Sequence, residues 1–161
     1  MGDLLLAFYL FLPAGVANSV PPLLTKIFGP GRPIDGGRGI FGSHKTWQGF
    51  IGGTIAGVIT FLMQRAFDDL DVPLLAGVLM SAGALGGDLV KSFFKRRMKI
   101  EPGRSWFPID QLDYVIGAVL ATAPVMSLSW HLALLTIVVY FVLHLIVSAI
   151  GFAIGVKDAV L

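Results

Sequence analysis

Asp88, Asp110 and Asp113 are the residues of this 161-residue chain best suited to chemistry. Asp110 and Asp113 stand at i and i+3, so on a helix they share a face. Asp88 closes an uncharged run and is followed by Lys91 and Ser92 about one helical turn on. Lys95, Arg96, Arg97 and Lys99 extend the basic stretch. Carboxylates are hard oxygen donors that suit Mg²⁺, while Lys and Arg suit phosphates. The combination predicts Mg²⁺ shared by the three acids during work on a phosphate-bearing substrate. No nucleic-acid partner is expected.

Each residue also has a simpler use. Asp110 follows Pro108 and can cap a helix N-terminus, where a carboxylate favours the positive dipole end. A cap needs one acid, which leaves Asp113 unexplained. Asp88 can form a local pair with Lys91. Arg97 and Lys99 fit anchoring at anionic headgroups, whereas Lys95 and Arg96 lie nearer the acids and better suit a triphosphate. The glycine-rich segment 29–49 can be a linker. Its glycines also let backbone amides turn toward an anion, with Arg38 among them. Lys45 and Thr46 open a helix, where anions are attracted. Asn18 and Ser19, before Pro21-Pro22, are candidates for substrate contact or for bonding a neighbouring helix. His131 and His144 read as structural.

What positions these groups is a membrane. The chain is 55% hydrophobic and 14% charged, with mean hydropathy +0.81, against about 25% charged residues in soluble domains. It has no cysteine, so disulfides and cysteine metal sites are excluded. Residues 4–25 and 46–64 read as spans. The uncharged run 72–87 is short for one, so its helix is expected to continue past Asp88. Residues 114–156 are too long for one span and should break at 127–131. The fold expected is all-α: one domain over 1–161, a bundle of five transmembrane helices. Of the 12 Lys and Arg, all but Arg65 fall on one side of that arrangement. The positive-inside rule then makes that side cytoplasmic, with the N-terminus outside and the C-terminus, at Lys157, inside. No basic residue precedes Lys26, which argues against a cleaved signal peptide. Glycine rows at 49/53/57, 83/87 and 151/155 have helix-packing spacing. They serve the bundle itself or a homodimer.

Gly87-Asp88-x-x-x-Ser92-x-x-Lys95-Arg96, followed by Pro108-x-Asp110-x-x-Asp113, resembles the signature of the membrane cytidylyltransferases that make CDP-diacylglycerol. Lys45-Thr46-Trp47-Gln48-Gly49 is similar to their Lys-Thr-x-Glu-Gly element. The compact span count, with Gly31-Arg32-Pro33-Ile34-Asp35-Gly36-Gly37, looks like their archaeal relatives, the CDP-archaeol synthases. The resemblance covers 18–117. It implies that CTP and an isoprenoid ether-lipid phosphate (unsaturated archaetidic acid) give CDP-archaeol and pyrophosphate at the cell membrane. It implies Mg²⁺ on Asp88, Asp110 and Asp113. For Lys45, Thr46, Ser92, Lys95 and Arg96 it implies nucleotide or phosphate contact. The chain departs from the bacterial pattern at Glu101-Pro102, at Phe107-Pro108 and at Gln111, where that pattern has Lys-Asp, a nearby His-Gly-Gly and Arg. Two other readings compete: a CDP-alcohol phosphotransferase, whose acid spacing the Asp110–Asp113 pair does not match, and a small cation-coupled transporter, which would place its acids inside helices.

Overall fold

A computed structural model describes residues 2–68, 72–101 and 104–153. Lys157, Gly155, Asp69 and Asp71 lie outside the described residues. The described chain forms six helices: α1 (Asp3–Leu10), α2 (Leu12–Phe28), α3 (Trp47–Asp68), α4 (Leu74–Arg97), α5 (Ile109–Thr122) and α6 (Trp130–Ala153). The loop between α2 and α3 carries an isolated antiparallel bridge from Pro33 to Thr46.

Three helical stretches, Trp47–Phe67, Leu74–Arg97 and Trp130–Ile150, are long and apolar enough to cross a membrane. α1 and α2 pass the same test as a pair, bent by 42° at Phe11. α5 has 14 residues. At ~1.5 Å per residue it is about 21 Å long, short of a hydrocarbon core of ~30 Å. Four of the five expected spans therefore have the length to cross, and the fifth is a short helix. α4 runs through Asp88 to Arg97 as the sequence pattern expects, and 123–129 separates α5 from α6, which overlaps the expected break at 127–131 but leaves Trp130 and His131 inside α6. The α1–α2 bend was not expected, although Pro13 marks it.

The outer faces are apolar. Ile51, Ile55, Ile59 and Leu62 of α3, and Leu134, Val138, Val142 and Ile146 of α6, are exposed at helical spacing. Such stripes suit lipid, where the backbone must satisfy itself. The interior is built from small residues. Ala7, Ala14, Ala17, Ala84 and Ala118 are fully buried, and α2 packs along α3 as α4 packs along α5. The buried hydroxyls of Ser81, Thr122 and Thr136 bond back to carbonyls four residues earlier in their own helices.

One contact places the acids. A Cβ built on Gly87 would collide with the carbonyl oxygen of Asp113, and one on Gly117 with the carbonyl of Gly83. Only glycine lets α4 and α5 come this close. Asp88, the next residue after Gly87, is thereby brought beside Asp113. Gly53 and Gly57 likewise meet the α2 carbonyls of Ala17 and Pro13. These two glycine rows are thus spent inside the chain rather than on a second copy.

Candidate active site

Asp88, Asp110 and Asp113 converge on one atom, the ammonium nitrogen of Lys91. Its Nζ lies 2.9 Å from Asp88 Oδ1, 2.8 Å from Asp113 Oδ2 and 3.4 Å from Asp110 Oδ1. The second oxygen of each acid is held elsewhere. Asp88 Oδ2 pairs with Lys45, which reaches in from the loop before α3. Asp110 Oδ2 takes Lys95 Nζ at 3.0 Å and the amide of Trp106 at 2.6 Å. Asp113 Oδ1 takes the amide of Tyr114 at 2.7 Å. Three aspartates and three lysines thus balance in charge. The group is shielded: the Asp113 side chain is 4% exposed and that of Asp88 16%. Buried charges of this kind are tolerated only when paired and hydrogen-bonded.

A cavity of about 470 Å³ opens beside this cluster, within the range of small-molecule sites. Asp88, Asp110, Asp113, Lys91, Lys45, Thr46 and Asn18 line it. Local structure explains their aim. Thr46 accepts the amide of Gly49 at 3.1 Å and so caps the start of α3, which sends Lys45 toward Asp88. Pro21 and Pro22, which have no N–H to give the carbonyls of Ala17 and Asn18, line the cavity from α2.

The other expected residues take supporting positions. The Ser92 hydroxyl donates to the carbonyl of Asp88 at 2.7 Å, within its own helix. Ser19 does the same to Gly15, on the exposed side of α2. Lys95 is tied to Asp110 and, at 2.6 Å, to the carbonyl of Arg104. It therefore braces the α4–α5 loop. Arg96 lies against Gly42, and its Nε is buried with no hydrogen-bond partner among the described residues. The Arg97 guanidinium sits 5.4 Å above the Phe93 ring. Arg38 is exposed in the loop. The glycine amides of that loop have an anion of their own. Asp35 accepts the amides of Gly37 at 2.9 Å and Phe41 at 3.1 Å. The Phe41 amide above all holds the Asp35 carboxyl below its ordinary range.

Sequence reasoning missed His144. It lies on α6, lines the cavity and faces the Tyr114 ring with centroids 6.2 Å apart. A histidine in the middle of an apolar span was the available signal.

Among the described residues, no three His, Cys, Asp or Glu close tightly enough to grip a metal unaided. The three oxygens around Lys91 are spaced for an ammonium, wider than Mg–O bonds of about 2.0–2.1 Å. Their chemistry still fits Mg²⁺, which keeps several waters and commonly binds through a few carboxylates together with substrate phosphates.

An apolar helical bundle with a shielded charge cluster and an adjoining cavity defines an intramembrane enzyme. The comparisons specify which. The family model described as CarS-like, CDP-archaeol synthase, matches residues 1–161. The chain is similar to a CDP-archaeol synthase of Methanoculleus marisnigri, with 40% identity over 91% of this chain and 98% of that one. A CDP-archaeol synthase of Thermococcus onnurineus is 42% identical over 80% and 79% of the two chains. The fold is similar to a solved intramembrane enzyme for archaeal membrane lipids biosynthesis, with TM-score 0.79 and 30% identity, covering 91% of this chain and 94% of that one. The chain belongs to the CDP-archaeol synthase family and is a membrane cytidylyltransferase. The phosphotransferase and transporter readings fall with that assignment.

Proposed function

We propose that this enzyme transfers CMP from CTP to an unsaturated archaetidic acid in a Mg²⁺-dependent reaction on the cytoplasmic face of the cell membrane. The observation that carries it is the convergence of Asp88, Asp110 and Asp113, from two helices, on one point at the wall of a cavity. An oxygen of the lipid phosphate attacks the α-phosphorus of CTP. The bond from that phosphorus to the β-phosphate oxygen breaks, and pyrophosphate leaves. The lipid phosphate is anionic near neutral pH, since a phosphomonoester loses its second proton at about pH 6. No general base is required. Positioning and neutralisation of charge carry such a reaction.

In this reading the three aspartates hold Mg²⁺, which supplies positive charge to the nucleotide phosphates. Lys45 and Lys91, at the cavity, contact phosphate oxygens. Arg96, whose buried Nε has no partner among the described residues, completes the triphosphate site from beside Gly42. Lys95, Ser92 and Thr46 hold the acids and the α3 terminus in place. The apolar cavity wall, including Phe50, Leu85 and Leu89, leads the isoprenoid chains toward the bilayer. The distribution of Lys and Arg supports the orientation: N-terminus outside, C-terminus inside, five crossings including short α5.

One assay tests all of this. Labelled CTP is supplied to sealed vesicles of either orientation that contain digeranylgeranylglyceryl phosphate, and label in extractable lipid is counted. CTP does not cross the bilayer, so incorporation is expected only when the basic face is accessible. EDTA should abolish it. Asp110→Asn and Asp113→Asn should each reduce it by about 10³, the scale of losing an electrostatic contact to a developing charge. Near-normal rates in these variants would sink the metal reading. Incorporation from the other face would sink the orientation.

A further inference from the structure

We infer that Lys91 is a built-in cation that keeps the place of the metal until nucleotide arrives, so that metal enters together with the triphosphate and not before it. This rests on the reading that Asp88, Asp110 and Asp113 bind metal.

The division of each carboxylate carries the argument. Asp88 Oδ2, Asp110 Oδ2 and Asp113 Oδ1 are fastened to protein groups: Lys45, Lys95 with the Trp106 amide, and the Tyr114 amide. The remaining oxygens, Asp88 Oδ1, Asp110 Oδ1 and Asp113 Oδ2, face Lys91 Nζ. Lys95 also touches Asp110 Oδ1, at 3.2 Å. If the Lys91 side chain swings away, the three acids keep their anchors and leave three oxygens aimed at one point. The trio is therefore organised before a metal enters, and the lysine fills it.

Charge sets the order of events. With Lys45, Lys91 and Lys95 in place the cluster is neutral. A divalent cation entering alone must expel an ammonium whose partners among the described residues are these three acids, and it leaves a net positive cluster in a shielded place. Both steps are costly. A triphosphate brings new oxygens for that ammonium. Lys91 lines the cavity, and its long stem carries a mobile point charge suited to following a phosphate. Lys91 then serves first as a stand-in for the metal and afterwards as a phosphate contact.

The test measures metal binding rather than turnover. Purified protein in detergent is dialysed against Mn²⁺, with and without a non-hydrolysable CTP analogue, and bound Mn²⁺ is read by electron paramagnetic resonance. The wild type should bind Mn²⁺ only when the analogue is present. Lys91→Met, of similar length but uncharged, should bind Mn²⁺ without nucleotide at least about tenfold more tightly than the wild type does. A unit charge within 4 Å is worth more than that factor even at an effective dielectric of about 20. Lys91→Arg, which keeps the charge, should behave like the wild type. Equal nucleotide-free binding by Lys91→Met and wild type would overturn the role of Lys91 while leaving the metal site standing. Wild type that binds Mn²⁺ equally with and without the analogue would overturn it even if Lys91→Met failed to fold. Binding that persists unchanged in Asp113→Asn would instead remove the metal reading itself.

Discussion

At the α1–α2 bend, two backbone carbonyls receive side-chain donors from other helices. Gln64 of α3 donates to Tyr9, and the Tyr140 hydroxyl of α6 donates to Phe8 at 2.7 Å. At the α4–α5 end, three aspartates share three lysines, and one ammonium touches every acid. Both arrangements solve the same problem, polar groups away from water. The first is neutral and packed with aromatic rings, with Tyr140 against Phe8 and Tyr114. The second is charged, shared and open to a cavity. A neutral donor bonded to a backbone carbonyl holds no cation to exchange. A shared cation can be replaced by another cation, and this is what a binding site requires. Polar burial alone therefore does not mark function in this molecule; exchangeable pairing beside a cavity does.

The largest expected effect that would test this contrast comes from two neighbouring glycines. Gly87 meets the Asp113 carbonyl, whereas a Cβ on Gly86 has no atom within 4 Å. Gly87→Ala should push α5 away and separate Asp88 from Asp113. A misplacement of about 1 Å can cost on the order of 10² in rate, and turnover of labelled CTP should fall by that much. Gly86→Ala should keep its activity and gain slightly in stability, because alanine is the better helix former by about 1 kcal/mol. Equal turnover in the two variants would mean that the close approach does not set the acid geometry.

The opposite pattern is expected at the other end. Tyr140→Phe leaves the Phe8 carbonyl without its side-chain donor, at a cost of about 1–3 kcal/mol. At roughly 2–4 °C per kcal/mol for a chain of this size, thermal unfolding in detergent should come several degrees earlier. The kcat/KM for CTP, measured well below that temperature, should stay near normal. Loss of activity without loss of stability would erase the distinction between the two ends.

The sequence made one end much more legible than the other. Acid spacing, the glycine rows and the basic run can all be read locally, and they led to Asp88, Asp110, Asp113 and Lys45. What could not be read was pairing across helices. Lys95 looked like a phosphate ligand because of its charge and position; its carbonyl partner, Arg104, sits in a loop that carries no pattern. Lys91 looked like a local partner of Asp88, and its contact with Asp113 depends on the Gly87 crossing. The bend at Phe11 was hidden because an apolar run reads alike whether the helix is straight or broken. Gln64 and Tyr140, which repair it, carry no motif. His144 escaped because α6 has no charged neighbours to give it context.

The smallest expected effect lies between the two regions, in the loop that carries Lys45. Asp35 organises that loop by accepting the Phe41 and Gly37 amides, which lower its pKa. A depressed carboxyl pKa stabilises the loop above the ordinary value of 3.8, and that contribution is lost as pH falls through the lower folded value. Near neutral pH it is fully present, so Asp35 should leave no mark on a neutral pH–rate profile. Asp35→Asn keeps one acceptor and gives up the charge. Amide exchange at Phe41 and Gly37 should quicken. The KM for CTP should rise by less than about tenfold with kcat unchanged, since solvent screening limits what an exposed charge contributes. A fall in kcat as large as that of the Asp113 variant would place Asp35 with the exchangeable cluster and not with the scaffold that presents Lys45 to it.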